Sequence, residues 1–164
     1  MSLMDVHRFL SHIRHKKHYF LFGLNDTLFK NPLHRIERND VINNINPQTQ
    51  SVLKNIQSEG HSINVISRMA DKQKAVDYLK TGFPNIKFSN IEIYMTQISK
   101  NTHINNLLYM NEIDDDFIFM DGDRNIIANA MEEFPLAKYF YTPNSLQYST
   151  FIDKDNKYYY NHVL

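Results

Sequence analysis

Five short apolar runs, separated by segments with helical spacing, constrain this chain more than any other feature. The runs are His18 to Leu24, Ser62 to Ile66, Ile91 to Tyr94, Phe117 to Met120 and Lys138 to Tyr141. Each is too short for a stable helix, and several have the near-continuous apolar character of a strand buried on both faces. The first intervening helix starts at Asn46-Pro47, an N-cap followed by a first-turn proline. It carries Val52, Leu53 and Ile56 at helical spacing and stops at Gly60. A second runs from Asp71 to Lys80, with Ala75, Val76 and Leu79 inward and Gly82 closing it. A third covers about Lys100 to Met110, with Ile104, Leu107 and Leu108 on one face, and a fourth covers about Arg124 to Glu133. Alternating strands and helices with short connections predict a three-layer α/β/α domain built on a parallel sheet. Lys30 to about Asn44 reads as a polar loop. The stretch between the first strand and first helix is too short for a large cap domain.

A length of 164 residues suits a single domain, and no internal repeat or linker divides it. Residues 1–17 form an amphipathic N-terminal segment. Within it Phe9, Leu10 and Ile13 alternate with Arg8, His12, Arg14, Lys16 and Lys17, the basic face being solvated. Residues 143–164 form a C-terminal extension with a hairpin expected around Asp153-Lys154-Asp155-Asn156. The aromatic run Tyr158-Tyr159-Tyr160 either packs on the core or offers an edge for a partner or a dimer.

The formal net charge is zero, so nothing calls for nucleic acid or an anionic membrane as a partner. Cysteine is absent, which removes disulfides, thiolate nucleophiles and cysteine metal clusters. With no secretory signal in Met1 to Leu10, a cytoplasmic location is expected. Asn25-Asp26-Thr27 fits the glycosylation rule but follows a buried strand, and is discounted. No Gly-x-Gly-x-x-Gly, P-loop or Gly-x-Ser-x-Gly is present, so neither a nucleotide cofactor nor a serine hydrolase is expected. His7, His12, His15 and His18 lack a carboxylate at matching spacing and read as structural or solvated. His103 reads as a helix-surface residue, with the pocket as the alternative.

In open parallel sheets, ligands bind at the carboxyl ends of the strands. Four groups of residues fall there or open a helix nearby: Gly23-Leu24-Asn25-Asp26-Thr27, Ser67-Arg68, Ser99-Lys100 and Asp121-Gly122-Asp123. In this order they resemble the four motifs of the haloacid-dehalogenase superfamily. The likeness is greatest to its magnesium-dependent phosphatase-1-like group, over roughly Tyr19 to Met131. The resemblance implies a HAD-like, Rossmannoid domain.

It also implies roles. In that family the first motif is Asp-x-Asp-x-Thr. Its first Asp attacks phosphorus and binds magnesium, and its second protonates the leaving group while its carbonyl binds the metal. Here Gly23 stands at the nucleophile position and Asn25 at the general-acid position. Thr27 matches; Ser67 and Lys100 match the residues that hold the phosphoryl oxygens, and Arg68 follows Ser67. Asp121 matches the metal-binding acid, although the spacing to Asn125 is one residue short, so Asp121 and Asp123 compete for that role.

Glycine can neither attack phosphorus nor ligate Mg²⁺, a hard ion that wants carboxylate oxygens. Asparagine keeps its carbonyl but is no acid, and loss of a general acid costs about 10²–10⁴-fold. The expectation is therefore a pseudo-phosphatase with a weakened Mg²⁺ site formed by Asn25, Asp121 and Asp123. Its phosphate-binding set is Asp26, Thr27, Ser67, Arg68 and Lys100, the loop contributing through its amides. A phosphorylated small molecule or protein is the expected partner. The alternative is a weak or altered magnesium-dependent phosphohydrolase using water activated by Asp121 or Asp123. A further alternative uses Asp26: one residue's offset turns a side chain to the opposite face of an extended segment, but from the loop Asp26 can still reach the pocket. The bland reading leaves Ser67 a turn residue and Lys100 a surface charge.

Overall fold

The computed structural model describes residues 16–68, 70–142, 148–152 and 159–163. Among them the chain forms seven strands and four α-helices. In order these are β1 (Tyr19–Phe22), α1 (Pro47–Ser58), β2 (Ser62–Arg68), α2 (Lys72–Gly82), β3 (Asn90–Tyr94) and α3 (Lys100–Tyr109). They continue with β4 (Ile118–Asp121), α4 (Arg124–Glu133), β5 (Lys138–Tyr141), β6 (Tyr148–Ile152) and β7 (Tyr159–Val163). One sheet contains all seven strands, ordered β3-β2-β1-β4-β5-β6-β7.

The first five strands are parallel and form the Rossmann-like three-layer domain expected from the alternation. The C-terminal extension adds an antiparallel pair, with β6 on β5 and β7 on β6. The expected turn between β6 and β7 and the amphipathic segment up to residue 15 lie outside the described residues, as does Tyr158.

Burial on both faces explains the lack of polar alternation in β1. Phe20 and Phe22 pack on one side with Val52, Leu53 and Ile56 of α1 and Leu79 of α2. Leu21 points to the other side, joining Phe119 of β4, Ile104 and Leu107 of α3 and Ile127 of α4. The caps follow the sequence: Asn46 accepts from the Gln48 amide at 2.9 Å, and Asp71 accepts from the Lys74 amide at 3.2 Å. No helix among the described residues is long and apolar enough to cross a membrane.

Two features go beyond the sequence reading. The polar loop before α1 contains three 3₁₀ turns, Leu33–Arg35, Arg38–Asp40 and Ile42–Asn44. Its Leu33, Ile36, Val41 and Ile45 are buried, so it is a packed strap rather than a solvated loop. The Tyr78 hydroxyl fixes it by donating to the Ile36 carbonyl at 2.8 Å. The second feature is a polar ladder inside the sheet. Fully buried Asn64 of β2 donates to the Phe20 carbonyl at 3.1 Å and to Ser62 Oγ at 3.0 Å, while its own oxygen accepts from Asn90 Nδ2 at 2.9 Å. These bonds tie β1, β2 and β3 in one register.

Candidate functional site

The strand order reverses between β1 and β4, and a cleft of about 490 Å³ opens at the carboxyl ends of these strands. It is lined by Asn25 and Asp26 after β1, Ser67 and Arg68 at the end of β2, Lys100 at the start of α3, and Asp121 to Ile126 from β4 into α4. All four strand-end groups thus contribute to one place.

At its centre Lys100 Nζ and Asp121 Oδ2 form an ion pair, both side chains buried. Asp121 Oδ1 accepts from the Asp123 amide at 2.9 Å, so both carboxylate oxygens are engaged. Lys100 is therefore not the surface charge of the bland reading. Ser67 is not a turn residue either: β2 runs on to Arg68, and Ser67 is buried near the strand end. Among the described residues its hydroxyl makes one long contact, 3.5 Å, to the Arg68 carbonyl. Arg68 is half-buried and forms no ion pair among the described residues.

Gly23 has structural consequences beyond a missing nucleophile. Its amide donates to the Met120 carbonyl at 2.9 Å, which pulls the end of β1 against β4. A Cβ placed on Gly23 lies 2.8 Å from Asp121 Oδ2, 3.1 Å from Asp121 Cγ and 3.2 Å from Thr27 Oγ1. The Asp121 carboxylate fills the space a side chain at 23 would take. Gly122 is similarly confined, since its Cβ would meet the Asp26 carbonyl oxygen at 3.0 Å.

The other predicted residues divide. Asn25 lines the cleft, but its Oδ1 accepts from the Leu33 amide at 2.9 Å and so anchors the strap. Asp26 also lines the cleft. Its positive φ, 59°, breaks the extended path on which a one-residue offset would have turned it away. Burial raises the Asp26 pKa most, the nearby Asp121 raises it further, and Arg35 opposes both. Thr27 is fully buried behind the cleft, 3.3 Å from the Thr142 hydroxyl. Asp123 is the N-cap of α4, its Oδ1 accepting from the Asn125 amide at 2.8 Å and the Ile126 amide at 3.3 Å.

The magnesium set implied by the resemblance does not fit this arrangement. Asp121 is held by Lys100, one Asp123 oxygen by the helix end, and Gly23 brings no carboxylate. No group of three or more His, Asp or Glu among the described residues is placed to hold a metal ion.

His103 corrects the sequence reading. It is neither on the helix surface nor in the cleft but fully buried, stacked on Tyr94 with ring centroids 4.6 Å apart. Neither ring nitrogen has a hydrogen-bond partner among the described residues. Burial lowers its pKa, with Lys100 adding to this and Glu92 opposing it.

Two lining residues, Gln97 and Tyr141, have no place in the sequence reading of the site. The Arg124 guanidinium sits 4.7 Å from the centre of the Tyr141 ring. Tyr141 ends β5 in register with Asp121, so extending the strand-end argument to the fifth strand would have found it. No family model matches the chain, and no curated protein matches it.

Proposed function

We propose that this cleft binds a phosphoryl group without hydrolysing it, making the protein a HAD-like pseudo-phosphatase. The observation that carries this reading is at Gly23. The strand end where the resemblance puts a nucleophile has no side chain, and the space is filled by Asp121. The anion-holding side chains remain. Arg68 lines the cleft as a cation without an ion pair among the described residues, beside the Ser67 hydroxyl. Lys100 has three donors and spends one on Asp121, leaving others for an oxyanion. The ligand class is a phosphorylated small molecule or a phosphorylated protein, in a cytoplasmic setting. Dimerisation through the β7 edge is part of the same proposal and is read by sedimentation.

Calorimetric titration with inorganic phosphate, paired with an aryl-phosphate hydrolysis assay in Mg²⁺, tests the reading. Saturable binding that is lost in Arg68→Met, with no turnover, is the expected result. Failure of phosphate to bind, or metal-dependent turnover, overturns it. One observation favours the alternative of an altered phosphohydrolase: Asp26 faces the cleft with a carboxyl whose pKa is raised. Turnover abolished by Asp26→Asn would decide for that alternative.

A further inference from the structure

Every buried carboxylate needs a counter-charge or a set of donors, because a lone one is too costly to desolvate. In this cleft the buried carboxylate is Asp121, and the Lys100 ammonium meets it directly. The two charges cancel inside the fold. The remaining Asp121 oxygen is satisfied by the Asp123 amide at 2.9 Å. Gly23 makes this possible, since a Cβ there would stand 2.8 Å from Asp121 Oδ2, the oxygen that Lys100 holds. Gly23, Asp121 and Lys100 therefore form one unit.

We infer that Lys100 is the resident cation of this site, taking the place of a divalent metal on Asp121, so that the cleft receives a free phosphoryl anion and not its magnesium complex. The ligand half of this statement rests on the phosphoryl-binding reading above; the resident-cation half rests on the ion pair alone. A carboxylate already neutralised by an ammonium has little to offer Mg²⁺, which would have to displace that charge as well as its own waters. An incoming anion gains from Lys100 and Arg68 but is repelled by Asp121. A metal bridge and a resident ammonium thus predict opposite signs for the loss of the Asp121 charge. If a metal on Asp121 bridges to the ligand, removing the carboxylate weakens phosphate binding. If Lys100 is the cation, removing its carboxylate releases it for the ligand and tightens binding.

The experiment uses the full chain in three titrations. Mg²⁺ alone is titrated into the native protein and followed by heat and thermal midpoint. Inorganic phosphate is titrated into the native protein in excess EDTA and again in excess Mg²⁺. Phosphate is then titrated into Asp121→Asn in EDTA. The expected results are no saturable response to Mg²⁺, equal phosphate affinity with and without metal, and about tenfold tighter phosphate binding by the variant. A saturable Mg²⁺ response, a phosphate affinity that needs Mg²⁺, or weaker binding by a folded Asp121→Asn each overturns the inference. If the variant does not fold, the two native titrations decide. If phosphate binds in neither buffer, the phosphoryl reading fails, and the resident-cation assignment stands or falls on the response to Mg²⁺ alone.

Discussion

The Asp121 carboxylate occupies the volume that a side chain on residue 23 would require. Oδ2 is 2.8 Å from the Cβ position of Gly23, and the same oxygen is paired with Lys100. The residue at the end of β1 and the one at the end of β4 are therefore set jointly.

Replacing Gly23 tests that dependence. Gly23→Ala must push Asp121 away from Lys100 or bend β1 away from β4. Such overpacking costs about 1–3 kcal/mol. Urea unfolding should show a lower midpoint with an unchanged slope. The double change Gly23→Asp with Asn25→Asp meets the same obstruction and should remain without Mg²⁺-dependent aryl-phosphate hydrolysis. Turnover by that variant would show that Asp121 yields and the site reopens.

Asn25 holds the strap through one bond, from the Leu33 amide at 2.9 Å. Asn25→Ala strands that amide and should cost about 1–3 kcal/mol in the same unfolding assay. Asn25→Asp keeps an acceptor at the same place, so its loss should be clearly smaller. Equal losses would mean that this bond does not hold the strap.

Asp123 caps α4 through the Asn125 and Ile126 amides. Asp123→Ala should destabilise the protein by about 1 kcal/mol, while Asp123→Asn, a good N-cap, should retain most of that stability. A deficit in the Asn variant as large as in the Ala variant would assign the residue's contribution to its charge instead.

His103 gives a pH dependence with a definite sign. Its folded pKa lies below the usual 6.5, burial being the main cause. His18 and His61 are shifted the same way, again mainly by burial. Between the lowered folded value and the unfolded one, the unfolded chain binds more protons, so stability rises with pH across that interval. Thermal midpoints should therefore fall as pH is lowered through about 6.5 toward 5. In His103→Phe, which keeps a ring against Tyr94, the fall should be shallower. An unchanged slope would show that His103 does not carry its share of this dependence.

The strands and helices were legible because each obeys a local rule. β1 is apolar on both faces because both faces are covered, and α1 begins where Asn46 caps it. The convergence of Asn25, Ser67 and Asp121 follows from strand-end position, and that of Lys100 from its place at the start of the helix after β3. What stayed hidden depends on non-local contacts. Nothing near Lys100 in sequence says that its partner is Asp121, or that Gly23 leaves room for the pair. How Asp26 reaches the cleft was not legible, because its left-handed backbone is set by the turn it sits in and not by the strand before it. The burial of Leu33, Ile36, Val41 and Ile45 was masked by the polar residues between them. The burial of His103 has no local sign, because the covering Tyr94 comes from a different element.

The Asn64 ladder bears on which parts of this molecule are free to vary. Its bonds to Phe20, Ser62 and Asn90 lie inside the sheet, away from the cleft. Sliding β1 along β2 would break the bond to Phe20, sliding β3 would break the bond to Asn90, and either would leave part of a buried amide unpaired. The alignment of the three strands is thus secured independently of whatever occupies their tips. A chain built this way can exchange reactive groups for inert ones at the rim and still deliver the rim to the same coordinates. Alignment and reactivity are separate variables here, and a mutational scan of the tips should change what the opening holds long before it changes where the opening is.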